Sequence, residues 1–189
     1  MLDNARIENV AKRAAKVAYT VLGLDCPYSI SLIDDPNVDE DARLDTQGNV
    51  IQINLAKLEP FPAEAIVGAP ENMSEEDQRV DEDYRHIMKV CSLVFHEMRH
   101  LYQKQAVTAY TINETLGGKS VQQPESDKKC ELWLSEMQAP GPVQDIEEDA
   151  NDFAYYLTNR YPINLPMLRT NRRLGVMKRK YDKVEIPDV

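Results

Sequence analysis

The residues with the clearest chemical use are His96-Glu97-Met98-Arg99-His100, which hold two of the three histidines in a chain of 189 residues. Residues four apart lie on one face of an α-helix, so both imidazoles can reach a single metal ion. The glutamate between them can then polarise a water molecule at that ion. This is the chemistry of metal-assisted hydrolysis. A hydrolytic zinc ion takes three protein ligands and keeps a fourth position for water, so the pair needs a further ligand from elsewhere.

A later segment, Glu147-Glu148-Asp149-Ala150-Asn151-Asp152-Phe153-Ala154, offers one. Glu147 and Asn151 share a helix face, so one can bind metal while the other orients a histidine ring from behind. Glu148 sits one residue round the helix and is the alternative carboxylate. A plainer reading stands beside this one. His96 and His100 would then be solvated helix residues, with Glu97 in a surface pair. Glu147 would be one of several first-turn acids, with Asp145, Glu148 and Asp149, stabilised by the helix dipole.

The two segments together resemble a known arrangement. H-E-x-x-H followed by a helix bearing E-x-x-A-[DN]-x-F-A is the pattern of the gluzincin metallopeptidases, and its compact form is most similar to the ImmA/IrrE-type proteins and the minigluzincins. The resemblance implies that His96, His100 and Glu147 ligate Zn2+ and that Glu97 is the catalytic base. It implies a zincin-like fold and a zinc-bound water that attacks a peptide bond. Asn151 stands where many relatives have an aspartate, which would hold a ligand histidine more strongly than an amide does. Gln103 and Ala106 occupy positions where a metzincin would need Gly and His, which disfavours that branch. For the developing oxyanion, Tyr155, His86 and Tyr110 are open candidates, although the acidic neighbours of His86 predict a surface position. The strand at 49–54 is expected to be an edge strand that holds an extended peptide, and 108–123 or the C-terminal helix is expected to cover the cleft. The alternative function is a non-proteolytic, zinc-binding regulatory or protein-interaction module of the same fold. Glu97 separates the two, because a glutamate that ligates nothing serves only catalysis.

These residues must be positioned by a small set of elements. Asp3 or Asn4 can cap a helix running to about Leu22, with Ile7, Val10, Ala14, Val17 and Ala18 at helical spacing and Gly23 closing it. Two strands follow, Tyr28 to Ile33 and Asn49 to Asn54, each alternating and bounded by turn residues. The proline-rich, acidic stretch from Glu59 to Val80 reads as a loop, within which Ser74 can begin a helix. From about Asp81 to Ala106 runs the strongest helix, whose stripe of Ile87, Val90, Cys91, Val94, Met98 and Leu101 points away from His96 and His100. Thr108 to Gln123 reads as a polar loop. Further helices are expected at about 126–137 with Trp133, at about 143–159, and at about 165–181 with a largely solvated basic face.

Composition bounds the rest. With 42% hydrophobic and 29% charged residues and only seven glycines, the chain reads as one helix-rich domain spanning 1–189; with the strands and the resemblance, the expected class is α+β with a small mixed sheet. The formal net charge of -10 argues against nucleic acid or an anionic membrane and for protein or small-molecule partners; the resemblance implies a protein or peptide substrate. Cys26, Cys91 and Cys130 are scattered, which is neither a disulfide framework nor a cysteine zinc site. They read as reduced, mostly buried thiols. No segment has the length and apolarity to span a bilayer and no export address is visible, so a cytoplasmic location is expected.

Overall fold

The first helix, α1 (Asn4–Leu22), is capped at both ends by its own sequence. Asp3 is extended, and its carboxylate accepts the Arg6 N–H at 2.7 Å. Such a cap contributes about 1 kcal/mol. Gly23 adopts the left-handed conformation at φ 63°, which brings the Leu24 N–H to within 3.1 Å of the Tyr19 carbonyl and ends the helix. The computed structural model describes residues 2–62, 75–118, 120–139, 141, 144–161 and 172–186.

The chain then forms β1 (Ser29–Ile33), β2 (Ala42–Asp45) and β3 (Val50–Asn54), in the order β1-β3-β2. β3 runs parallel to β1 and antiparallel to β2. Two sequence expectations are corrected here. The described residues hold three strands where two were expected, because the four residues Ala-Arg-Leu-Asp are too short to show alternation. The strand at 49–54 is therefore central, with Asn49 in the preceding turn at φ 49°, and β2 is an edge. Asn54, 1% exposed, orders the connection into β2 by donating to the carbonyls of Asp35 at 2.9 Å and Val38 at 3.1 Å.

The long helix α2 (Glu75–Thr115) is the axis of the molecule, packed by α1, β2 and β3 and by α3 (Asp127–Gln138) and α4 (Gln144–Thr158). α5 (Arg172–Tyr181) packs on α4. The expected stripe is buried except at Ile87, which is partly covered, and Phe95, Arg99, Tyr102 and Gln103 are buried as well, because helices cover both sides of α2. α2 starts at Glu75, inside the stretch read as a loop, while Ser74 lies outside the described residues. It also continues to Thr115, through much of the segment read as a polar loop. No breaker occurs before Gly117, and the hydroxyls of Thr108, Thr111 and Thr115 donate back to carbonyls one turn earlier.

His86, expected at the surface, is 4% exposed. The basic face of the last helix is partly consumed inside the molecule: Arg173 pairs with Asp145 and Glu148, and Lys180 with Glu125. The start expected for that helix, Leu165, lies outside the described residues. Leu174, Met177 and Tyr181 are buried, so α5 contributes to the core. Among the described residues no helix is long and apolar enough to cross a membrane.

Burial also grades the three thiols. Cys91 and Cys130 are fully buried, and loss of hydration pushes the Cys91 thiol up to about 12 and the Cys130 thiol up to about 11. Cys26 is only partly covered. At about pH 8 a thiol-alkylating reagent is expected to modify Cys26 alone in the folded chain, and all three cysteines after unfolding. Mass spectrometry of the labelled peptides checks this, and native labelling of Cys91 or Cys130 would contradict the packing.

Candidate metal centre

β2 runs alongside α2 in the same direction. Asp41, just before the strand, pairs with Lys89 at 2.5 Å, while beyond it the Thr46 carbonyl and Asn49 Oδ1 accept from Lys104. On another flank, Arg99 and Gln103 bond to residues of α4. His96 and His100 lie on the strip of α2 between these two contacts. Each side chain is 19% exposed, so solvent reaches the floor of this cleft.

The three residues singled out as ligands come together. His96 Nε2 is 2.9 Å from His100 Nε2. Glu147, from the first turn of α4, places Oε2 at 3.3 Å from His96 Nε2 and Oε1 at 3.4 Å from His100 Nε2. All three donors fall within 4.8 Å of one another, and among the described residues no other group of His, Cys, Asp or Glu side chains gathers in this way. The fit to zinc can be tested against ideal lengths. Tetrahedral donors at about 2.0–2.1 Å from an ion stand about 3.3 Å apart. The two histidine–glutamate separations match this, and a small ring rotation opens the histidine pair to it. Two nitrogens 2.9 Å apart must otherwise share one proton. The donor set of two imidazoles and one carboxylate is that of a zinc site with an open position.

Electrostatics separate the cluster into unlike members. Burial, reinforced by His100, pushes the His96 pKa down to about 4. Burial acts on His100 in the same sense, but its hydrogen bond to Glu147, the Glu97 charge and Gln103 together raise it. Glu147 is held below the usual carboxylate range, chiefly by its hydrogen bond to His100.

Glu97 ligates nothing in this cluster. It is 6% exposed, and burial pushes its carboxyl up to about 7, against the opposing effects of His100 and a hydrogen bond from the Leu44 backbone. That bond follows from strand register. Asn54 N–H donates to the Asp41 carbonyl at 2.8 Å, so alternation turns the backbone of Arg43 toward β3 and that of Ala42 and Leu44 outward. The Leu44 N–H thus faces Glu97.

Asn151, one turn beyond Glu147, bonds to His96 through its side chain, in the orienting role open to it from its spacing. Glu148 turns away and bonds to Arg173 at 2.9 Å. The oxyanion candidates are dispersed: the Tyr110 hydroxyl donates to Glu131 at 3.1 Å on α3, His86 lies ten residues before His96, and Tyr155 lies on α4 one turn past Asn151.

Three residues of this site escaped the sequence reading. Gln103 Oε1 is 2.8 Å from His100 Nδ1, Asp149 accepts from Gln103, and Arg99 pairs with Asp149 at 2.7 Å. The available signal was spacing: Gln103 is three residues from a ligand histidine and therefore beside it. No family model matches the chain, and no curated protein or solved structure matches it either.

Proposed function

We propose that this chain is a zinc-dependent metallopeptidase of gluzincin type, with a zincin-like arrangement of active-site helix and glutamate helix. The observation that carries the reading is the convergence of His96, His100 and Glu147 from two helices, with the non-ligating Glu97 buried beside them. His96, His100 and Glu147 would hold the ion. When bound, zinc supplies Lewis acidity, which makes water nucleophilic near neutral pH and polarises a carbonyl.

The chain's own residues do the rest. Glu97 accepts the proton of the attacking water and returns it to the departing amine, a role suited to a carboxyl with a pKa of about 7. The Leu44 N–H aims that carboxylate. The outward backbone groups of Ala42 and the outward carbonyl of Leu44 are free of β3 and can pair with an extended peptide. The peptide-binding edge therefore moves from the expected strand at 49–54 to β2. The rival reading, a zinc-binding module without proteolysis, leaves the burial and orientation of Glu97 without a role.

Elemental analysis tests this first: one zinc per chain is expected, lost to a chelator and restored on reloading, together with metal-dependent cleavage of a mixed peptide library. A chain that cannot be loaded would defeat the reading. The carboxylate assignment has its own check by zinc titration. Glu147→Ala is expected to weaken zinc by more than about 100-fold, since partners behind the ligands already contribute about 10–100-fold. Glu148→Ala, which removes an exposed partner of Arg173, is expected to change affinity little. Equal effects would assign the wrong residue.

A further inference from the structure

We infer that Gln103 is a positioning residue that fixes the tautomer of His100, so that the ring presents its Nε2 lone pair to the cleft. Its consequence for zinc rests on the reading above, whereas the tautomer itself does not. Gln103 is fully buried on α2, one turn beyond His100. Its amide nitrogen donates to the Ile146 carbonyl at 3.0 Å and to Asp149 Oδ2 at 3.0 Å. Neither partner can donate in return. Ile146 offers a carbonyl, and Asp149 is an ionised carboxylate held by Arg99 at 2.7 Å and Lys129 at 2.9 Å. Turning the amide over would set its oxygen against two acceptors, so chemistry alone decides its orientation.

The amide oxygen is therefore the atom 2.8 Å from His100 Nδ1. An oxygen there requires a proton on Nδ1, and a neutral ring protonated at Nδ1 carries its lone pair at Nε2. Nε2 faces His96 and, at 3.4 Å, Glu147, whose carboxylate is the farther acceptor; the single proton of a neutral ring stays with the Gln103 oxygen at 2.8 Å, and an Nε2–H bond to Glu147 belongs to the doubly protonated ring. The far end of this relay is rigid. Arg99 is 1% exposed, with its guanidinium over the rings of Tyr102, Trp133 and Phe153 and an N–H donated to Tyr181. Arg99 comes from inside the H-E-x-x-H segment, so one helix supplies the ligand, its orienting amide and the cation that anchors the amide's partner. Asn151, the amide beside His96, is exposed and lacks such anchoring. The burden of orienting the pair falls on Gln103.

Two measurements test this. Long-range proton–nitrogen NMR of the 15N-labelled wild-type chain, with the ring neutral and assigned through a His100 variant, is expected to show His100 protonated at Nδ1. Gln103→Met is expected to lose that signature and to raise the zinc dissociation constant by about 10–100-fold with the near-ultraviolet circular dichroism retained. Gln105→Met, a neighbouring change outside the relay, should leave both unaltered. Protonation of wild-type His100 at Nε2, or unchanged zinc affinity in a folded Gln103→Met chain, would overturn the inference. If Gln103→Met does not fold, the wild-type spectrum still decides. A wild-type chain that takes no zinc yet shows the Nδ1–H ring would sink the metallopeptidase reading and leave the positioning of His100 standing.

Discussion

Glu97→Gln is expected to lower peptide hydrolysis by about 10²–10⁴-fold while leaving zinc content and fold unchanged, the range that a positioned general base contributes. The substitution is isosteric, and the amide oxygen still accepts the Leu44 N–H. Glu97 is not among the three residues that gather around the candidate ion, so metal affinity has no reason to fall. What is removed is the ability to carry a proton. Burial holds the Glu97 carboxyl at about 7, where it takes up and releases a proton near neutral pH, and an amide does neither. The decisive comparison is kcat/KM on a cleavable peptide for wild type and variant at equal zinc occupancy. Undiminished turnover in the variant would remove Glu97 from the reaction and return the non-proteolytic module to first place.

Asp149→Ala should be among the most destabilising single changes in the chain, costing about 3–5 kcal/mol in unfolding free energy. Asp149 and Arg99 are each 1% exposed, and Asp149 also receives Lys129 and Gln103. Removing the carboxylate leaves a buried guanidinium with only Tyr181 and a longer approach to Glu125 at 3.8 Å. The loss is large against a typical total of about 5–15 kcal/mol. Denaturant titration measures it. Replacing both partners, as Arg99→Met with Asp149→Leu, should cost less than Asp149→Ala alone, because no fully buried charge is then stranded and Lys129, 29% exposed, can turn to water. If the single change were as mild as an exposed acid-to-alanine change, the pair would not be buried as described.

The ends of α1 were legible because capping is local. Asp3 and Gly23 act within a few residues of the turns they close. α3 and α4 were legible through their apolar spacing and flanking turn residues. β2 was not, since a strand of four residues owes its existence to pairing with β3 and leaves almost no pattern of its own. That omission also misplaced the edge, because whether a strand is central depends on its neighbours. The extension of α2 through Thr108 was hidden by polarity: a helix end is marked by a breaker, and the breaker is Gly117.

At the candidate site, the sequence by itself determined which atoms could share a metal ion on one helix face, because helical periodicity places His96 and His100 together wherever that helix lies. The resemblance to the gluzincin pattern marked Glu147 over Glu148. Only the tertiary structure decided that α4 brings Glu147 to within 3.4 Å of both rings, that β2 lays the Leu44 N–H on Glu97, and that Gln103 and Asp149 stand behind His100. These contacts join residues far apart in the chain, and no local periodicity encodes them. Nothing in the sequence pairs Arg99 with Asp149, and burial became tolerable only once folding set each against the other.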